Sequence, residues 1–151
     1  MINIIDFEEK YAGDFKQLNI EWLEKYNLVE SHDLMVLNDP IGTIVARGGH
    51  IYLAIFDEKI IGSAALMKEH DDVYELAKMS VATAFQGKGI SKLLLEKCIN
   101  KAREIGAKKL ILYSNSQLQT ALNLYTKYGF RHVTVTDSPF VTADVKMELQ
   151  F

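Results

Sequence analysis

The sequence predicts a mixed α/β fold in which helices cover both faces of a central sheet. Three observations point there. Apolar residues recur at helical spacing in separated stretches, around 14–26, 90–105 and 118–125. Between them lie short runs rich in β-branched and aromatic residues, which suit strands. The two kinds of run follow one another as strand, helix or helices, three strands, helix, strand, helix, two strands. The chain has 151 residues, 48% of them hydrophobic, enough to bury a real core. It shows no internal repeat, low-complexity segment or linker, so 1–151 is expected to form a single domain.

Ile2 to Ile5 read as the first strand. Phe15, Leu18, Trp22, Leu23 and Tyr26 fall on one face of a helix over Asp14 to Tyr26. Leu28 to Leu37 is less regular and suits a short second helix. Asp39-Pro40 and Ile41-Gly42 mark a loop, and Gly48-Gly49 another. Ile51 to Phe56 and Ile60 to Met67 form a hairpin around Asp57-Glu58-Lys59, followed by a polar turn over Lys68 to Asp72. In the strand from Val73 to Val81, alternation places Val73, Glu75, Ala77, Met79 and Val81 on one face. Ile90, Leu94, Cys98, Ala102 and Ile105 make the core stripe of a long helix that Gly106 ends. Cys98 in that stripe reads as a packed small hydrophobe. Lys109 to Tyr113 is a strand. Ser116-x-x-Gln119 reads as a capping box opening a helix whose face carries Leu118, Ala121, Leu122 and Tyr125. Gly129 stops it. Phe130 to Val135 and Val141 to Leu149, separated by a turn at Ser138-Pro139, are the closing strands.

Composition removes several classes of function. No run of about 18 apolar residues exists, so no span of a membrane is expected. The N-terminus lacks a basic region followed by an apolar stretch, so no secretion signal is read. Cys98 is the only cysteine, which fits a reducing cytoplasm. His32, His50, His70 and His132 are scattered without ligand spacing, so no metal is expected. A net charge of −3 argues against nucleic acid as the partner. The charge is unevenly spread. Residues 1–77 carry 15 acidic and 6 basic side chains, whereas 78–109 carry 2 acidic and 8 basic. The basic block suits a polyphosphate ligand and the acidic block a cationic second substrate. Lys92, Lys97 and Lys101 read as solvating the outer face of their helix.

Gln86-Gly87-Lys88-Gly89-Ile90-Ser91 lies between an apolar strand and the long helix. Such a loop aims backbone N–H groups at one spot in front of a helix N-terminus, which attracts phosphate. Gly87 and Gly89 let the backbone approach an anion, and Lys88 adds a full charge. A P-loop would need a glycine five residues before Gly87-Lys88, where Val81 and Ala82 stand. The dinucleotide fingerprint fails as well, because Lys92 occupies the place of its third glycine.

The loop resembles the acyl-CoA loop of the GCN5-related N-acetyltransferases, the GNAT superfamily, which reads Gln/Arg-x-x-Gly-x-Gly/Ala. Ser91 departs from the last position; it is small and can donate its hydroxyl. Glu75-Leu76-Ala77-Lys78-Met79-Ser80-Val81 is similar to that family's fourth strand. Asn115 through Ala121, Leu124-Tyr125 and Tyr128-Gly129-Phe130 resemble its last helix and Tyr-x-x-x-Gly-Phe ending. The resemblance covers residues 73–133. It implies a GNAT-like acyl-CoA N-acyltransferase fold with a mixed, mostly antiparallel sheet of about seven strands. It also implies acetyl-CoA as donor and an amine of a small molecule or peptide as acceptor, attacked directly. Backbone groups of Met79, Ser80 and Val81 would pair with the pantetheine arm. The N–H groups of Gln86, Gly87, Lys88, Gly89, Ile90 and Ser91 would hold the pyrophosphate, and Asn115 would contact the pantetheine side. A homodimer follows by analogy alone.

A protonated amine with a pKa of about 10.4 costs about 4.6 kcal/mol to deprotonate at pH 7, so a base is useful. Glu75, a carboxylate on an otherwise apolar face, is the candidate base, with a structural pairing to a lysine as its alternative. Tyr125 reads as core on spacing alone; the resemblance gives it the role of acid to the leaving thiolate. Trp22, Tyr26, His32 and His50 stand where an acceptor site would be lined, without a pattern that selects any of them. Two further readings stay open: a non-catalytic acyl-CoA-binding or sensing module, and an O-acetyltransferase.

Overall fold

A computed structural model describes residues 1–136 and 138–151. The chain runs β1 (Asn3–Asp6), α1 (Ala12–Lys25), α2 (Ser31–Asn38), a single-turn α3 (Pro40–Thr43), β2 (His50–Phe56), β3 (Lys59–His70) and β4 (Val73–Val81). It continues with α4 (Ile90–Glu104), β5 (Lys109–Ser114), α5 (Gln119–Lys127), β6 (Arg131–Val133) and β7 (Val145–Gln150). The strands form one seven-stranded sheet in the order β1-β2-β3-β4-β5-β7-β6. Every neighbouring pair is antiparallel except β4 with β5. The α4 connection between those two strands is the crossover that a parallel pair requires. The mixed, mostly antiparallel sheet with helices on both faces is therefore as expected.

Each face has its own apolar cluster. On one, Ile90, Leu94, Leu95 and Cys98 of α4 pack on Tyr52, Ala54, Leu66 and Leu76, with Leu122 and Tyr125 of α5 beside them. On the other, Phe15 of α1 and Val36 and Leu37 of α2 pack on Ile51, Leu53 and Ala65. Burying each large side chain contributes about 1.5–3 kcal/mol, so these stripes hold the helices to the sheet. The Cys98 thiol is sealed in the first cluster, and burial pushes it up to about 12, as befits a packing residue.

Several elements differ from the sequence reading, each for a tertiary reason. The polar stretch Lys68 to His70 continues β3, because Lys68 pairs with Tyr74 and His70 with Val73 across the ladder. Asp39 to Gly42 is not a loop: Asp39 caps a helical turn by accepting the Gly42 N–H at 3.0 Å. Ser116 does not cap α5. Asp144, from the strand-approaching segment opposite, accepts both the Ser116 N–H at 2.8 Å and its hydroxyl at 2.7 Å. Strand β6 ends at Val133 and β7 starts at Val145, both shorter than expected, because only those segments find ladder partners.

The alternation along β4 also breaks. Lys78 has φ +53°, and the β3 pairing steps from Ala65–Ala77 to Ser63–Ser80, leaving an extra residue on β4. This β-bulge reverses the parity. Ala77 faces Ala65 of the α1-side cluster, but Met79 and Val81 join the α4-side cluster with Tyr74 and Leu76. The five residues expected on one face are thus divided between two.

Candidate active site

Strands β4 and β5 pair only at Val73–Lys109, Tyr74–Leu110 and Glu75–Ile111. Beyond Glu75 no further pairing joins them, and the bulge at Lys78 lies in this unpaired stretch of β4. A strand pair that opens leaves unsatisfied backbone groups along both edges, which is a ready place for an extended ligand. Ser63 braces the bulge: its hydroxyl donates to Lys78 O at 2.6 Å, lies 2.9 Å from Ser80 Oγ and accepts Asn19 Nδ2 at 3.0 Å.

Two adjoining cavities fill the gap. The larger, of about 590 Å³, runs along the glycine loop. Met79, Ser80, Val81, Gln86, Gly87, Gly89, Ile90 and Ser91 all line it. Gly87 and Gly89 both have φ +77°, a conformation that a Cβ disfavours. The first turn-to-turn bond of α4 runs from Leu93 N to Gly89 O. Among the described residues, the N–H groups from Gly87 to Lys92 have no acceptor. They meet the α4 N-terminus, so the loop presents fixed partial positive charge and fits a pyrophosphate. The Lys88 side chain is not on this wall; its ammonium lies 5.9 Å from the Phe85 ring centroid. Lys92, read as a solvated face, and Lys127 of α5 line the cavity instead. Gln86 donates to Val81 O at 3.3 Å and accepts Lys25 Nζ at 3.4 Å, which brings a cation from α1 to the loop.

The smaller cavity, of about 120 Å³, holds Glu75 and Asn115 on its wall. Tyr125, Trp22, Met79, Ser114 and Leu118 line both cavities and form their junction. Glu75 is 4% exposed, and burial, reinforced by the Glu69 charge and opposed by Lys78, lifts its carboxyl from 4.5 to about 8. Tyr125 is buried among Leu122 and Phe130, and burial raises its phenol well above its ordinary value. Its hydroxyl receives and gives no hydrogen bond among the described residues. No sealed polar side-chain atom among those residues lacks a partner, so this hydroxyl faces the open cleft. Asn115 is held by its own chain: Nδ2 donates to Thr142 O at 2.8 Å and Oδ1 accepts Gln117 N at 3.0 Å.

Sequence reasoning missed three residues of this wall. Lys78 donates to Asp33 Oδ1 at 2.5 Å, with side-chain exposures of 5% and 3%. Asp33 Oδ2 accepts Glu30 N at 2.9 Å. Asn19, 2% exposed, donates to Phe15 O at 2.9 Å as well as to Ser63. The signals were present: Lys78 interrupts an apolar strand, and Asn19 sits one turn from Phe15 on a buried stripe. Of the aromatic and histidine candidates, Trp22 and Tyr26 reach the cavities. His32 instead packs edge-on against Phe140 at 5.0 Å, and His50 opens β2; neither lines either of the two cavities.

A family model for the acetyltransferase (GNAT) family matches residues 8–130. The uncharacterized N-acetyltransferase YvbK of Bacillus subtilis strain 168 is 31% identical over 121 residues, covering 78% of this chain and 77% of that protein. The uncharacterized N-acetyltransferase YjgM of Escherichia coli K12 is 31% identical over 99 residues, 63% of this chain and 59% of that protein, so the matched stretch spans little more than half of its length. Among solved structures, an acetyltransferase of the GNAT family from Staphylococcus aureus Mu50 superposes with a TM-score of 0.91 at 22% identity over 99% of both chains, a likeness of fold.

Proposed function

The chain belongs to the GNAT acetyltransferase family, and from that premise we propose that it transfers an acetyl group from acetyl-CoA to an amine of a small molecule or peptide by direct attack. The observation that carries the reading is the junction of the two cavities. It has an anion cradle on one side, a buried carboxyl with a pKa of about 8 on the other, and an unengaged tyrosine hydroxyl between them.

Acetyl-CoA supplies an acyl thioester: the amine nitrogen bonds its carbonyl carbon, and the carbon–sulfur bond breaks. The remaining work falls to the chain. The N–H groups from Gly87 to Lys92 hold the pyrophosphate and fix the donor along the open edge of β4. Glu75, once ionised, takes the proton that the amine must lose; a pKa of about 8 makes it a stronger base than an ordinary carboxylate and one that comes into play as pH rises toward 8. Tyr125 keeps its proton at every working pH, because burial raises its phenol, and so holds it ready for the leaving sulfur. A leaving thiol that is desolvated in the cleft is raised too, so the proton need not move far uphill.

Calorimetric titration with acetyl-CoA, with free coenzyme A alongside, tests the cradle. Micromolar binding is expected, lost by at least about tenfold in Gly89→Val, since φ +77° is strained for a β-branched residue. Absence of binding at millimolar acetyl-CoA would end the proposal. Thiol release in the presence of an amine panel then separates an enzyme from a binding module.

A further inference from the structure

The wall of the smaller cavity sets how much charge an acceptor can carry. Among the described residues, its charged groups are Asp33, Glu75 and Lys78. Asp33 and Lys78 cancel each other at 2.5 Å, both nearly sealed from water. As a pair they bring no net charge to the wall. Asp33 spends its second oxygen on Glu30 N, and the Lys78 ammonium lies 5.2 Å from the Phe140 ring centroid. Glu30 and Glu69 do not line the cavity. One carboxyl, Glu75, is left, and in giving up its proton it can answer one ammonium.

Asn19 adds a neutral acceptor. Its amide nitrogen is committed to Phe15 O and Ser63 Oγ, which fixes the orientation of the amide. Its Oδ1 receives no hydrogen bond among the described residues and is not sealed, so it looks into the cavity that Asn19 lines. An amide oxygen that no group of the chain engages and that the cavity can reach is free to accept from an N–H donor. The rest of the wall is largely apolar, with Trp22, Leu23, Leu28, Leu118 and Phe140.

We propose that the acceptor of this cleft is a monoamine with an uncharged, largely apolar body, its nitrogen received by Glu75 and by Asn19 Oδ1. The inference rests on the acetyl-transfer reading for what happens to the amine, but the charge balance stands on the wall alone. A second ammonium would meet no free carboxylate in the cavity. A carboxylate on the acceptor would meet no free cation, and either group would be desolvated without return.

The test is equilibrium binding of 2-phenylethylamine, spermidine and glycine to the full chain saturated with coenzyme A, followed by thiol release with acetyl-CoA. 2-Phenylethylamine should bind at least about tenfold tighter than either alternative. Spermidine or glycine binding equally well or better, or no amine binding, overturns the inference. Lys78→Met leaves Asp33 unpaired and should move the preference at least about tenfold toward spermidine. The double change Lys78→Met with Asp33→Asn removes the pair as a unit and should restore the monoamine preference. An unchanged ratio in a folded Lys78→Met overturns the role of the pair; if that variant does not fold, the wild-type ratios alone decide. Binding of 2-phenylethylamine without acetyl transfer would refute the enzymatic reading while leaving the charge assignment of the cleft intact.

Discussion

Replacing Glu75 by glutamine should change how stability depends on pH, by an amount the structure sets. The Glu75 carboxyl is 4% exposed and is raised from 4.5 to about 8, mainly by burial, with the Glu69 charge adding to it and Lys78 opposing. Below about pH 4.5 both folded and unfolded chains hold this proton, and its contribution to stability is fully present. Between about 4.5 and 8 the folded chain keeps the proton while the unfolded chain loses it, so stability falls as pH rises. Above about 8 the loss is complete. At about 1.36 kcal/mol per pH unit, the full window amounts to roughly 5 kcal/mol. Glu75→Gln keeps the shape and removes the titration. Urea denaturation of both proteins at intervals from pH 4.5 to 9 measures the difference, which cancels the titration of every other group. The variant should gain on the wild type steadily across the window, by several kcal/mol in all. Parallel stability curves would refute the burial argument. The same titration should appear in catalysis as a limb of kcat/KM near pH 8, absent in the variant.

Tyr125→Phe should lower kcat for acetyl transfer by about 10²-fold or more while leaving coenzyme A affinity unchanged. Its stability should change by less than about 0.5 kcal/mol, since the hydroxyl makes no hydrogen bond among the described residues; equal turnover, followed by thiol release, would remove the acid role. Gly49→Ala should destabilise the fold by about 1–3 kcal/mol in thermal or urea unfolding, because a Cβ there would lie 2.4 Å from Leu66 O and 2.8 Å from Ile44 O, backbone that cannot yield cheaply. An unchanged midpoint would show that the β2 entrance is looser than its contacts imply.

Much of this molecule is local, and what is local was legible. The positive-φ glycines of the loop, the stripe Ile90, Leu94 and Cys98 and the hairpin around Asp57 each follow from residue type and spacing within a few positions. Glu75 stood out because a carboxylate on an apolar strand contradicts its surroundings, and burial then made that contradiction a raised pKa. Period-two alternation misled at Lys78, since a bulge inserts a residue through pairing with β3 and not through any signature in β4 itself. The Ser116 capping box was sound as a local pattern and lost to Asp144, a partner far along the chain.

By itself, then, the sequence determined the order of strands and helices, the anion-attracting loop and the position of its buried carboxylate, because periodicity, glycine conformation and polarity act over neighbouring residues. The tertiary structure alone decided that β4 and β5 separate beyond Glu75, that Tyr125 of α5 and Asn19 of α1 meet in the gap, and that Lys78 is neutralised by Asp33. Those contacts join residues tens of positions apart, and packing, not spacing, brings them within reach.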